Sequence, residues 1–180
     1  MSADIVTSLV TEEHVAHRRR CAAFAAAEIA PHAARWERER SFDRALWRRA
    51  AEAGVLGPGY PTELGGGGGD LLHAVVATEA LVASGTSPGV VVGLGTLELA
   101  LPAIMALGDA EQQRRFVAPV LRGERVAALA LTEPGGGSDL QSMETRAIRD
   151  GDGYRLTGQK RFISSGVHAV AAWLRKDDER

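Results

Sequence analysis

The spacing of apolar residues changes character near residue 124 of this chain. Before that point, apolar residues recur every three or four positions, and this spacing predicts amphipathic helices. Two such series are Val15, Ala22, Ala25 and Ile29, and Phe42, Leu46, Ala50 and Ala53. After that point, short β-type runs alternate with turn residues. The pattern predicts an α+β protein, with an all-α helical domain over residues 1–124 followed by a small antiparallel β domain over residues 125–180.

Capping and breaking residues set the expected helix limits. Pro31 should close the first helix, while Ser41 is a plausible N-cap and Gly54 a plausible stop for the second. Residues 57–69 contain two prolines and a run of five glycines, which predicts a flexible connection.

The next two helices have acidic residues at their expected starts. Asp70 is expected to cap a helix that continues through Leu81. Asp109 and Gln112 resemble a capping box opening a short helix that Pro119 should end.

Four short runs with β character follow the helical half. They cover residues 126–131, 144–149, 154–157 and 161–164. Tight-turn signals at residues 150–153 and 157–159 separate them, as expected in a meander or small barrel.

Composition narrows the class of protein. The chain has 180 residues, 45% of them hydrophobic, and a formal net charge of -2, which fits a soluble globular protein. Arg18, Arg19 and Arg20 form a basic run, but nearby acidic residues favour a solvated helix face over a nucleic-acid site. Cys21 is the single cysteine, and the first twenty residues have no apolar signal core, so we expect a cytoplasmic protein without an internal disulfide.

Residues 89–108 are nearly uncharged and approach the length of a membrane span. Gly93, Gly95, Glu98 and Pro102 interrupt them, and no basic residue immediately flanks them. We therefore expect a buried core helix and no membrane association.

A glycine-rich segment carries the strongest chemical signal. Residues 130–139 read A-L-T-E-P-G-G-G-S-D, an apolar strand that runs into three glycines with hydroxyls and carboxylates on either side. Glycines let backbone N–H groups approach a ligand closely and permit the positive φ angles of anion-binding turns. Thr132 and Ser138 can add side-chain hydrogen bonds. This segment is predicted to bind a ligand.

The ordered string T-E-P-x-x-G-S-D resembles the signature of the acyl-CoA dehydrogenase family. Residues 60–66 and 108–113 resemble the family's Pro-Glu-Gly-Gly loop and its turn into the next helix. Further matching residues are Thr145, Ala147, Gly153, Tyr154, Leu156, Gly158, Lys160, Phe162, Ile163 and Gly166. The resemblance extends over nearly the whole chain. It implies an FAD-dependent oxidoreductase of fatty acid metabolism that performs α,β-desaturation of an acyl thioester.

The resemblance also implies which residues contact FAD. These are Leu129, Leu131, Thr132, Gly137, Ser138, Phe162, Ile163 and Ser164. Leu131 and Thr132 would lie near the pyrimidine edge of the flavin, Phe162 would pack on the ring system, and the Ser164 hydroxyl would approach N5. Leu129 is equally well explained as an ordinary strand leucine. Many relatives have tryptophan at the position of Phe162 and a Thr-Asn pair at Ser164 and Ser165.

Two residues are expected to contact the substrate. Ser138 would contact the pantetheine part of the thioester, although Ser-Asp after glycines is also a common turn pair. Glu98 falls in a region that resembles the acyl-tail pocket and could shape it, or it could simply be paired with an arginine or a loop N–H. Glu133 is expected to orient the loop through backbone N–H groups.

The family continues beyond these residues with a C-terminal helical domain that carries the catalytic glutamate. No residue of the chain is therefore assigned as the catalytic base. The resemblance implies an acyl-CoA or acyl-carrier-protein substrate, an electron-transfer flavoprotein or similar acceptor, and a homo-oligomer. The alternative is an inactive truncated fragment, or an interaction module that pairs with a full-length relative.

The histidines show no recognisable metal-ligand spacing. His14 and His17 lie three residues apart, but their surroundings predict an ordinary solvated helix face. No metal site is expected.

Overall fold

The computed structural model describes residues 9–85, 87–169 and 171–173. Helices dominate its first part, as the apolar spacing predicts. They are α1 (Glu12–Phe24), α2 (Ala33–Glu39), α3 (Ala45–Glu52), α4 (Leu71–Ala83), α5 (Pro88–Gly95), α6 (Leu97–Leu107), α7 (Ala110–Gln112) and α8 (Ala118–Leu121). The π-helical segments Ala25–Ile29 and Gln113–Val117 continue α1 and α7, and 3-10 turns cover Thr62–Leu64 and Leu140–Ser142.

One apolar core joins these helices. Leu46 and Trp47 of α3 and Leu101 of α6 are at most 2% exposed, and Leu121 and Val126 join them from the chain that leads into the first strand. The apolar stripe of each helix is thus buried against its neighbours, which is the main source of helix stability in a globular protein.

Some predicted helix boundaries are confirmed and others are wrong. Asp70 caps α4 by accepting a hydrogen bond from the backbone N–H of His73 at 3.1 Å, and Gly54 follows α3 with φ +66°. Ser41 is not an N-cap, because α3 begins four residues later, where Asp43 accepts from the N–H of Ala45. Helix α2 was not expected from the sequence.

Pro119 does not end its helix, contrary to the prediction. It occupies the first turn of α8, which continues to Leu121. A proline is tolerated there because the N–H groups of a first turn need no partner within the helix.

The predicted flexible connection at residues 57–69 is hydrogen-bonded and closely packed. The N–H groups of Gly67, Gly68 and Gly69 donate to the carbonyls of Gly57, Tyr60 and Pro58, respectively. A Cβ on Gly66 would overlap the Tyr60 carbonyl oxygen. The glycines here allow the backbone to fold onto itself.

The strands are β1 (Ala127–Leu129), β2 (Arg146–Asp150), β3 (Gly153–Thr157) and β4 (Ala171–Trp173). Strands β2 and β3 form the predicted antiparallel hairpin, with Gly151 at φ +61° in its turn. Strands β1 and β4 pair in parallel, from Ala127 with Ala171 to Leu129 with Trp173. The predicted strand at residues 161–164 is absent, because φ of +57° at Phe162 is incompatible with extended backbone.

By length and composition, residues 88–107 could cross a membrane. In the structure this segment divides into α5 and α6 at Thr96, whose hydroxyl donates to the carbonyl of Gly93 at 2.9 Å. Leu94, Leu97 and Leu101 are buried in the core. The burial favours the predicted core helix.

Candidate functional site

A buried ion pair organises the glycine-rich segment. The Lys160 ammonium lies 2.8 Å from the Glu133 carboxylate, and the two side chains are 12% and 6% exposed. Glu133 also accepts hydrogen bonds from the backbone N–H groups of Glu144 and Thr145, at 2.6 and 3.0 Å. The prediction that Glu133 orients the loop through backbone N–H groups is confirmed, and Lys160 is the partner that the motif did not indicate.

The same lysine and its neighbour connect the two predicted flavin-contacting segments. Lys160 donates to the carbonyl of Leu131 at 3.0 Å, and the N–H of Arg161 donates to the carbonyl of Thr132 at 2.9 Å. Phe162 follows directly in sequence. The structure therefore holds residues 131–132 beside the start of segment 162–164.

The ion pair makes a testable contribution to acid stability. The hydrogen bond from Lys160, followed by those from residues 144 and 145, lowers the pKa of Glu133 from 4.5 to about 2. A lowered carboxyl pKa stabilises the fold above the ordinary value, and this contribution is lost as pH falls toward the folded-state value. We expect the melting-temperature difference between wild type and Glu133→Gln to be largest above pH 4.5 and to shrink steadily as pH falls toward about 2 in a thermal melt series. A pH-independent difference would contradict this role of the carboxylate.

The three consecutive glycines differ from the expectation in one respect. None of Gly135, Gly136 and Gly137 has a positive φ, so a left-handed turn does not explain them. Residues 133 and 136 exchange backbone hydrogen bonds in a tight turn instead. A Cβ at Gly135 or Gly136 would meet no atom within 4 Å, so the fold of the described residues does not require glycine there. These positions leave space beside the backbone.

Segment 162–165 presents an aromatic ring in an uncommon backbone conformation. Phe162 is 83% exposed and has φ +57°, and Ser165 has φ +59°. The Arg161 guanidinium lies 5.0 Å from the Phe162 ring. A bulky residue with positive φ is strained, and such strain often marks a functional site.

Ile163 and Ser164 line a cavity of about 680 Å³ between this segment and the helical domain. Phe42, Trp47 and Val92 contribute its apolar surface. The Phe42 and Trp47 rings stack with centroids 4.6 Å apart. The Ser165 hydroxyl, which also lines this cavity, lies 3.4 Å from that of Thr96. The volume and apolar surface suit a small-molecule ligand.

Glu98 lies on a different opening, which Tyr60, Pro102 and Met105 also line. Partial burial raises the pKa of the Glu98 carboxyl, although the residue as a whole is exposed, and the nearby Tyr60 hydroxyl opposes the rise. That hydroxyl donates to the Leu97 carbonyl at 3.4 Å, so the polar side chain beside Glu98 is a tyrosine and not the expected arginine. Neither this opening nor the cavity beside Ser164 is lined by Ser138, which is exposed.

The expected solvated face for His14 and His17 is wrong. Both residues are buried, 4% and 5% exposed, because that face of α1 packs against α4. His14, Asp70 and His73 come together there, with one potential ligand atom from each within 4.8 Å of the others. Sequence spacing missed this cluster because its members lie on two helices.

Comparisons with known proteins agree with this arrangement. The family profile "Acyl-CoA dehydrogenase, N-terminal domain" matches residues 11–124, and "Acyl-CoA dehydrogenase, middle domain" matches residues 128–177. The chain is 35% identical over 162 residues to "Long-chain specific acyl-CoA dehydrogenase, mitochondrial" of Sus scrofa, covering 89% of this chain and 37% of that protein.

Solved structures show the same fold. An acyl-CoA dehydrogenase from Geobacillus kaustophilus has a TM-score of 0.83 at 35% identity, covering 89% of this chain and 42% of that one. An acyl-CoA dehydrogenase complexed with FAD from Bacillus anthracis has a TM-score of 0.85 at 28% identity, covering 94% and 30%.

The chain spans less than half the length of these relatives. The profile of the N-terminal domain nevertheless accounts for most of the chain. The α+β arrangement of a helical domain followed by a small antiparallel sheet, here strands β2 and β3, is also that of the relatives. This chain belongs to the acyl-CoA dehydrogenase family.

Proposed function

We propose that this chain provides two of the surfaces that hold FAD in an acyl-CoA dehydrogenase. The observation that carries the proposal is the connection of residues 131–132 to segment 162–164 through Lys160 and Arg161. Two segments that the family resemblance assigns to flavin are thereby adjacent in the fold. When bound, FAD would supply the hydride acceptor for α,β-desaturation of an acyl thioester.

The local structure fits such a group. Gly135 and Gly136 leave open space beside the backbone, where a ligand could approach closely. Phe162 presents an exposed ring, and burying such a ring against a flat cofactor offsets the strain of its positive φ. Gly137 and Ser138 complete the exposed loop.

Each proposed contact has a chemical task. Donors at Leu131 and Thr132 would stabilise the negative charge that develops at the pyrimidine edge of a reduced flavin. Ser164 would contribute a hydroxyl hydrogen bond and Ile163 an apolar contact. The Leu129 side chain packs against the helical core, so its backbone would supply any flavin contact. The acyl group of a CoA or carrier-protein thioester would occupy the cavity beside Trp47, with Ser138 contacting the pantetheine. Glu98 would restrict the substrate only from the separate opening that it lines.

The proposal predicts that the purified chain retains FAD through gel filtration, with a visible flavin absorbance band. Phe162→Ala should weaken FAD binding about tenfold, the effect of losing roughly 1.4 kcal/mol of ring contact. Leu107→Ala is the matched control, because Leu107 is 81% exposed at the end of α6 and lies outside both segments. A fluorescence titration of FAD gives both affinities.

Equal affinities for Phe162→Ala and wild type would contradict the assigned surface. A second candidate function is an interaction module that pairs with another family member, which exposed apolar side chains favour. They include Leu71, Leu99, Leu107 and Val167, all more than 60% exposed. If the chain retains no FAD alone but co-elutes with a full-length acyl-CoA dehydrogenase, this second function is supported instead.

A further inference from the structure

We infer that His14, Asp70 and His73 form a binding site for a divalent transition-metal ion, with zinc as the best match. The site is separate from the proposed flavin surfaces. His14 comes from the first turn of α1, and Asp70 and His73 come from the start of α4. Folding therefore brings together ligands that are 56 positions apart.

The distances suit a shared ion. His14 Nε2 and His73 Nδ1 each lie 2.9 Å from Asp70 Oδ1, and the two imidazole centroids are 4.2 Å apart. Zinc bonds of about 2.0–2.1 Å in tetrahedral geometry place ligand atoms roughly 3.3 Å apart. An opening of a few tenths of an ångström would thus convert the hydrogen-bonded cluster into a coordination site.

The ligand types match zinc chemistry. Two imidazole nitrogens and one carboxylate form a three-ligand set whose fourth position water can complete. Neutral imidazole and ionised carboxylate are the forms that bind metal.

A hydrogen-bond partner for the second ring nitrogen of His14 is already in place. The Thr11 hydroxyl oxygen lies 2.8 Å from Nδ1 of His14. When Nε2 binds the ion, Nδ1 carries the ring proton and donates a hydrogen bond to this oxygen. That hydrogen bond replaces the present one, in which Nδ1 accepts from the Thr11 backbone N–H. Partners of this kind fix the ring orientation and tautomer of metal-bound histidines.

Burial differs across the cluster in a way that gives an ion access. The His14 side chain is 5% exposed, whereas those of His73 and Asp70 are 17% and 60% exposed. The solvent-facing carboxylate offers an entry route, and the buried imidazole ties the ion to α1. A bound ion would therefore cross-link α1 to α4 and stabilise the folded chain by mass action.

The test is a calorimetric titration of the EDTA-treated full chain with zinc chloride, combined with thermal melts. We expect one zinc per chain and a melting temperature that rises with zinc concentration. Asp70→Asn retains an N-cap side chain, and His73→Gln retains a capping-box side chain, so both should fold. Each should weaken zinc binding by more than about 100-fold, and Thr11→Val by about tenfold.

His32→Gln is the matched control, because His32 lies at the start of α2 with its ring against Trp36. Its zinc affinity should equal that of wild type. The absence of one-to-one binding in wild type would overturn the site, as would equal affinity in wild type and the two ligand variants. Circular dichroism of the metal-free variants confirms that lost binding does not reflect unfolding. Neither readout depends on FAD or acyl-CoA.

Discussion

Replacing Trp47 with alanine is expected to lower the free energy of unfolding by about 3 to 5 kcal/mol, the usual cost of removing a fully buried large aromatic side chain. Trp47 is 2% exposed and stacks on Phe42, and its ring centroid lies 5.6 Å from that of His168. It packs in the helical core and also lines the large cavity. Urea denaturation measures the lost free energy of unfolding. The transition midpoint should fall while the dependence of that free energy on urea concentration stays constant.

Phe162→Ala provides the comparison for this aromatic deletion. The Phe162 ring is 83% exposed, so its removal should change the free energy of unfolding by no more than about 0.5 kcal/mol. The pair therefore separates two aromatic residues with different tasks, one in the core and one on the proposed flavin surface. A similar loss of stability in both variants would refute the assignment of Trp47 to the core and Phe162 to an open surface.

Replacing Lys160 with methionine is expected to lower the melting temperature by roughly 6 to 12 °C. Removing one partner of a buried ion pair costs about 3 kcal/mol, and each kcal/mol shifts the melting temperature by about 2–4 °C at this chain length. The change also removes the hydrogen bond to the Leu131 carbonyl, so FAD binding should weaken in parallel. Calorimetry measures the first effect and fluorescence titration the second.

Arg155→Met is the matched control for this charge deletion. Arg155 pairs with Asp150 across the β2–β3 hairpin at 3.1 Å, with side chains 72% and 59% exposed. Solvent-exposed pairs contribute at most about 1 kcal/mol, so this variant should melt within a few degrees of wild type. If both variants melted alike, the Lys160 pair would not hold the loop as described.

Local signals predicted those parts of the fold in which neighbours in sequence are neighbours in space. The Asp70 cap, the Asp109 and Gln112 capping box and the Gly151 turn each involve residues at most three apart, and all three are confirmed. The prediction of a β-type run failed at residues 161–164, because residue types alone do not report the sign of φ at Phe162.

The candidate site divides in the same way. The string of residues 132–139 indicated the ligand loop, but the loop is held by Lys160, 27 positions from Glu133. The histidine cluster depends on contact between α1 and α4, which no local spacing encodes. Burial of this face of α1 was unexpected. His14 and His17 make the face polar, and a polar helix face is normally expected to be exposed to solvent.

The parallel pairing of β1 with β4 bears on the order in which contacts form during folding. The β2–β3 hairpin joins adjacent strands through a two-residue turn and should form within about 1–10 μs. Pairing β1 with β4 instead closes a loop of roughly 40 residues. The chain must lose the conformational entropy of that loop before the hydrogen bonds between the two strands can stabilise it. We therefore expect the strand ladder beside the glycine-rich loop to be completed late, after the helices and the hairpin have formed.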